Sequence, residues 1–147
     1  MAFESNIITI IGNLTDDPEL RFTGAGVAVC SVRVATNRRW TGRDGREQEE
    51  TTFVTANVWR DLAENVANSL RKGDRAIVIG RLRIRSYEDR DGQTRWVTEI
   101  EADEIAPSLR WAVARPEKTR GPSASRSDES GDWSASTTAP EMEDVPF

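Results

Sequence analysis

The chain contains no histidine. That excludes Ser-His and Cys-His catalysis and most zinc sites, whose ligands come from histidine and cysteine. Its one cysteine, Cys30, cannot form an intrachain disulfide, which suits a reducing cytoplasm. In the setting Val29-Cys30-Ser31-Val32 it reads as a small buried side chain rather than a reactive thiol. No stretch approaches the ~18 apolar residues of a transmembrane helix. The first residues lack a basic region followed by an apolar run and a small-residue cleavage site, so no secretory leader is expected. Lysine is scarce, at 2 residues against 18 arginines. That bias suits forked contacts to phosphate and stacking on bases, and equally fits GC-rich coding.

The net charge of −5 argues at first against a polyanionic ligand. Its distribution reverses the argument. Residues 1–120 hold 19 basic and 19 acidic side chains, whereas residues 121–147 hold one basic residue, Arg126, and six acidic ones. The whole deficit lies in the last segment, leaving a neutral body in which the placement of the arginines decides.

At 147 residues, one domain plus an appendage is expected. Residues 6–14 are β-branched and form a first strand, with Asp16-Asp17-Pro18 as punctuation and Leu20-Arg21-Phe22 resuming it. Residues 27–36 alternate as a second strand, and the polar residues 41–50 read as a mobile hairpin loop. A third strand spans 52–60. The period then changes to helical over 61–71, with Leu62, Val66 and Leu70 as the apolar stripe, Asp61 and Glu64 as the capping pair and Gly73 as the stop. Residues 75–87 and 94–104 give strands four and five around an Asp89-Arg90-Asp91-Gly92 tip, and 107–113 suggests a short terminal strand. The fold class is therefore all-β: a five-stranded Greek-key barrel of OB type with one helix between strands three and four. The domain is expected over 1–114. A Pro/Ser/Thr-rich disordered linker is expected over 115–139 and an acidic tip over 140–147.

Strand parity separates two faces. Val54, Ala56 and Val58 share the core side of the third strand, which sends Phe53, Thr55, Asn57 and Trp59 to the other. On the fourth, Val78, Gly80, Leu82 and Ile84 share one side and Arg81, Arg83, Arg85 and Tyr87 the opposite one. Trp40 follows the second strand beside Arg38 and Arg39. Spaced aromatics offer stacking platforms that any unpaired base can use, and neighbouring arginines neutralise phosphates, so this face suits a single strand. Plainer readings exist for several residues. Trp96 and Trp111 fit packing or interface roles. Arg71 and Lys72 fit either phosphate binding or the C-terminal end of the helix dipole. Glu99, Glu101 and Asp103 alternate along one strand and fit solvation or pairing with arginines better than a metal site. No cofactor or metal is expected, and no enzymatic constellation stands out.

The chain ends Pro140-Glu-Met-Glu-Asp-Val-Pro-Phe147. Glu143, Asp144, Val145, Pro146 and Phe147 make a compact acidic-apolar ligand for a basic-rimmed pocket, on a linker with a flexible-coil span of about 25–30 Å.

The blocks Ile10–Phe22, Phe53–Glu64, Leu70–Asp74, Gly80–Tyr87 and the final Asp-Val-Pro-Phe together resemble the bacterial single-stranded DNA-binding protein family, over roughly residues 4–112 and the last few. The chain resembles an actinobacterial member of that family, or a second, paralogous copy, and the arginine bias fits this. The resemblance implies a homotetramer wrapped by single-stranded DNA. It gives stacking roles to Trp40, Phe53, Trp59 and Tyr87, and phosphate contacts to Arg83 and Arg85, with Arg21, Arg71, Lys72 and Arg95 as further basic positions beside Arg81. It implies docking of replication, recombination and repair proteins on the tip, and a cytoplasmic, nucleoid-associated location without a membrane partner. Phe53 and Tyr87 stand where the family often has Trp, and Met142 interrupts the acidic run. An OB-fold RNA-binding module or RNA chaperone would use the same face; the acidic Pro-Phe ending argues against it.

Overall fold

A run of isoleucine and threonine starts the barrel, because β-branched side chains fit a pleated, half-buried surface. In the structure, a computed structural model that describes residues 5–119, this run is strand β1, Ile7–Leu14. It is followed by β2 (Glu19–Phe22), β3 (Ala28–Thr41), β4 (Glu47–Trp59), helix α1 (Arg60–Ser69), β5 (Arg75–Glu88) and β6 (Thr94–Pro107). The sheet order is β1-β5-β6-β4-β3-β2, and β1 also pairs with β3 to close the barrel. All pairings are antiparallel except β4 with β6. The chain divides after Ala114, and the described residues beyond it carry no regular secondary structure.

Alternation holds where the strands cover the core. Ala28, Cys30, Val32 and Val34 of β3, Ala56 and Val58 of β4, Ala76 and Val78 of β5, and Ile100 and Ala102 of β6 are buried together. Helix α1 lies mainly over β3 and adds Ala63 and Val66, with Leu70 just past its end and Leu62 and Ala67 at the margin. Two glycines let the barrel close. A Cβ on Gly12 would collide with the Ala35 carbonyl, and one on Gly80 with the Glu101 backbone. Gly80 sits at a bulge where the β5–β6 register shifts, so that Asp103 is the extra residue between the Ile79–Glu104 and Gly80–Ala102 pairs.

Several expectations need correcting. Leu20-Arg21-Phe22 belongs to a separate strand, β2, because Pro18 has no amide hydrogen to continue β1 and the chain turns to pair with β3. Half of the polar stretch 41–50 is strand rather than loop. The ladder continues through Arg38–Glu50, Arg39–Glu49 and Thr41–Glu47, with opposite charges facing across the strands in the first two pairs and Arg39 Nε 3.6 Å from Glu49. Only 42–46 turn, with Gly45 at φ 76°. Ile84 shares the parity of Val78 yet is 59% exposed, since β5 by then has run past the barrel.

The capping pair is also absent. Helix α1 follows β4 with no intervening loop, so Trp59 is the N-cap and no side chain bonds there, while Asp61 already lies inside the first turn. The helix ends at Ser69, because Leu70 turns extended and the Asp74 carboxylate accepts the Arg71 amide at 2.8 Å. No separate strand forms over 107–113, of which only Pro107 belongs to β6. The Ser108 amide bonds the Arg75 carbonyl at 2.8 Å, and Trp111 then lies under the guanidinium of Arg75 at 4.8 Å and near that of Arg110 at 5.3 Å. Trp96 and Trp111 are both largely exposed within the chain, which removes intrachain core packing as their role.

Candidate nucleic-acid interface

The outward positions of β3, β4, β6 and β5 fall into cross-strand rows. Arg21 of β2 faces Val29 of β3, which faces Trp59 of β4. Ser31 faces Asn57, which lies beside Glu101 and then Arg81; Arg33 faces Thr55, beside Glu99 and then Arg83. Ala35 faces Phe53, and the Arg33 guanidinium lies over the Phe53 ring at 5.0 Å. Trp59 is 44% and Phe53 55% exposed, so both rings present a face to solvent without leaving the sheet. Between Trp59 and β5 lies a depression of about 210 Å³ lined by Asn57, Trp59, Arg83, Arg85, Glu99 and Glu101.

Each arginine of the β5 row has a carboxylate partner. Arg81 Nη2 lies 3.6 Å from Glu101 and 3.7 Å from Asp103, and Arg83 Nη1 lies 3.6 Å from Glu101. Arg85 is held through both Nε and Nη2 by Glu99, at 3.4 and 3.2 Å, which pushes its pKa further up through the hydrogen bond first and charge second. Glu99 is fixed from its other side. Asn57 Nδ2 donates to Glu99 Oε2 at 3.0 Å, and Ser31 Oγ donates to Asn57 Oδ1 at 3.0 Å. A polar chain thus crosses four strands from Ser31 to Arg85.

The other sequence-derived positions lie elsewhere. Tyr87 pairs with Arg95 near the end of the β5–β6 ribbon, and Arg95 Nε binds Asp89 at 2.9 Å. That contact, followed by the Gln93 and Asp91 amides, holds the Asp89 carboxyl below its ordinary range. Trp40 is in the β3–β4 ribbon opposite Gln48, with the Arg38 guanidinium 5.3 Å from its ring; by parity it leaves the ribbon on the side opposite Phe53. Arg71 is turned to the end of α1, where Nη1 donates to the Ala67 and Leu70 carbonyls at 2.7 and 2.8 Å. The Lys72 amide bonds Asp17 at 2.8 Å, and both residues lie in the α1–β5 connection rather than on the sheet. Glu143, Asp144, Val145, Pro146 and Phe147 lie outside the described residues. Sequence reading passed over Arg33, Asn57 and Ser31 as site residues. Their parity was visible, but their significance depends on which β4 and β6 residues face them.

The chain was compared with known proteins. The sequence model of the "Single-strand binding protein family" matches residues 5–108. A single-stranded DNA-binding protein of Paenarthrobacter nicotinovorans is 50% identical over 136 residues, covering 91% of this chain and 79% of the relative. One from Paenarthrobacter aurescens is 53% identical, covering 82% and 71%. One from Mycolicibacterium smegmatis is 52% identical, covering 76% and 68%. With a family match over most of its length and relatives of this identity from actinobacteria, the chain belongs to the single-strand binding protein family.

Proposed function

We propose that this protein binds single-stranded DNA without strong sequence preference, through the outer face of β3, β4, β6 and β5. The carrying observation is that Phe53 and Trp59 project half-exposed from the same face as Arg81, Arg83 and Arg85. Stacking on such rings contributes about 1–3 kcal/mol per base and requires bases that are not paired. Arg21, Arg33, Arg83 and Arg85 receive phosphates along this path, Tyr87 and Arg95 extend it along the β5–β6 ribbon, and Trp40 offers a further ring on the other side of the β3–β4 ribbon. Arg71 and Lys72 contribute less, because Arg71 is already spent on helix carbonyls.

The barrel works as part of a homotetramer. In support, the β1 edge from Ile7 to Ile11 has no strand partner on one side among the described residues, and Ile7, Ile11 and Ile79 are exposed apolar residues on the adjacent outer face. Such an edge invites pairing with another chain. Residues 143–147 recruit replication, recombination and repair proteins to the bound strand, in the nucleoid.

Titration with oligo-dT should quench the tryptophan fluorescence strongly, and duplex of equal length should compete poorly. Equal affinity for the two, or a preference for structured RNA, would overturn the reading.

A further inference from the structure

The arginine row is electrostatically closed in the free protein. Three guanidinium groups, Arg81, Arg83 and Arg85, meet three carboxylates, Glu99, Glu101 and Asp103, at 3.2–3.7 Å. Two of the acids are positioned by more than their ion pairs. Glu99 is tied down by Asn57, and its side chain is only 15% exposed. Asp103 reaches Arg81 because the bulge beside Gly80 inserts it into β6.

A bare arginine strip would attract any polyanion, since each phosphate bound releases condensed counterions. A strip whose guanidinium groups are already paired with carboxylates neutralises fewer phosphates, so fewer of the DNA's counterions are released. A phosphate there replaces a carboxylate, at little net gain, and leaves the acid facing it. Charge alone then does not secure binding. The surplus must come from bases stacked on Trp59, Phe53 and Tyr87, which a duplex cannot offer.

We propose that Glu99, Glu101 and Asp103 are specificity-determining residues that set the preference for single-stranded over duplex DNA by occupying arginines that a duplex, which releases about 0.9 counterion per neutralised phosphate against about 0.7 for a single strand, would use to the greater advantage. The inference rests on the outer face being the DNA interface.

The test compares the full chain with the triple variant Glu99→Gln, Glu101→Gln, Asp103→Asn, and with a charge-matched control, Asp61→Asn, Glu64→Gln, Glu117→Gln. Fluorescence anisotropy would be read with labelled oligo-dT and with duplex of equal length, from about 50 to 300 mM salt. In the triple variant, duplex affinity should rise about tenfold at the lowest salt and oligo-dT affinity about threefold or less. Its duplex salt slope should steepen by about 0.9 for each arginine uncovered. The control should leave the ratio of the two affinities unchanged. Equal gains for both ligands, or a loss of oligo-dT affinity, would overturn the selectivity role while leaving the interface in place. No change with either ligand would place the interface elsewhere and overturn both. Glu101→Gln alone should move the ratio in the same direction by a smaller factor, which keeps the test decisive if the triple variant fails to fold.

Discussion

Asn57 on β4 donates to the Glu99 carboxylate on β6 at 3.0 Å, across the barrel's parallel strand pair. The Asn57 amide oxygen is in turn held by Ser31, so both ends of the Asn57 amide are engaged on a part-buried surface. Replacing it by alanine leaves the Ser31 hydroxyl and one Glu99 oxygen without this partner. The expected cost is about 1 kcal/mol of stability, read as a lower urea midpoint with an unchanged m-value.

Trp59→Ala and Phe53→Ala should each weaken oligo-dT binding by about 1–3 kcal/mol, roughly 5- to 150-fold. Trp111→Ala removes a more exposed ring, one that packs on Arg75 at the start of β5, and should leave the affinity unchanged. Equal effects of all three would point to a general role of aromatic surface instead. Anisotropy titrations at fixed salt separate the outcomes.

Gly80→Ala and Gly12→Ala place a methyl group against backbone where the barrel closes. Backbone cannot rotate aside as a side chain can, so each should cost about 1–3 kcal/mol or more. Thermal unfolding would show a fall of the transition temperature in both, with Gly80→Ala also disturbing the bulge that positions Asp103.

Arg60 opens α1 at φ 61°, the left-handed region that a non-glycine residue occupies at a cost of about 1–2 kcal/mol. The strain follows from strand β4 passing into the helix without a linker. Arg60→Gly should be neutral to stabilising, by up to about 1 kcal/mol, whereas Arg60→Val should destabilise. Chemical denaturation of the two variants gives the comparison.

Asp89 is held below the ordinary carboxylate range, first by Arg95 and then by the Gln93 amide. A carboxyl depressed on folding contributes stability that is fully present above the unfolded value, about 3.9, and is lost as pH falls through the folded value. The difference in stability between the parent chain and Asp89→Asn should therefore be constant near neutrality and close on acidification below about pH 4. A gap that persists at about pH 2 would show that the contact works through shape rather than charge.

Parity made the two faces of β3, β4 and β5 legible, because the side-chain period of a strand is fixed at two. It did not say where the barrel stops. Ile84 and Trp40 share the parity of buried residues, but they lie on ribbon segments that have left the core, where the same parity points to solvent. Polar composition misled over 41–50, since a cross-strand ladder of opposite charges supports strands as well as apolar pairs do. Asp61 has the right chemistry for a cap one helical position too late, a matter of where β4 ends. The acids of β6 were visible as an alternating row. Their partners depended on the β5–β6 register and on a bulge that leaves no clear mark in one sequence.

The burial of Cys30 has a practical side. It is the chain's one thiol, fully enclosed by the core, and desolvation, with Glu19 adding to it, pushes its pKa up. Alkylating and maleimide reagents attack the exposed thiolate, so the folded protein should behave toward them as if it had no cysteine. A reporter thiol placed at Arg90, on the β5–β6 turn, or at Arg43, on the β3–β4 turn, could then be labelled alone. Each ribbon could be followed as DNA arrives without first removing a residue from the barrel interior.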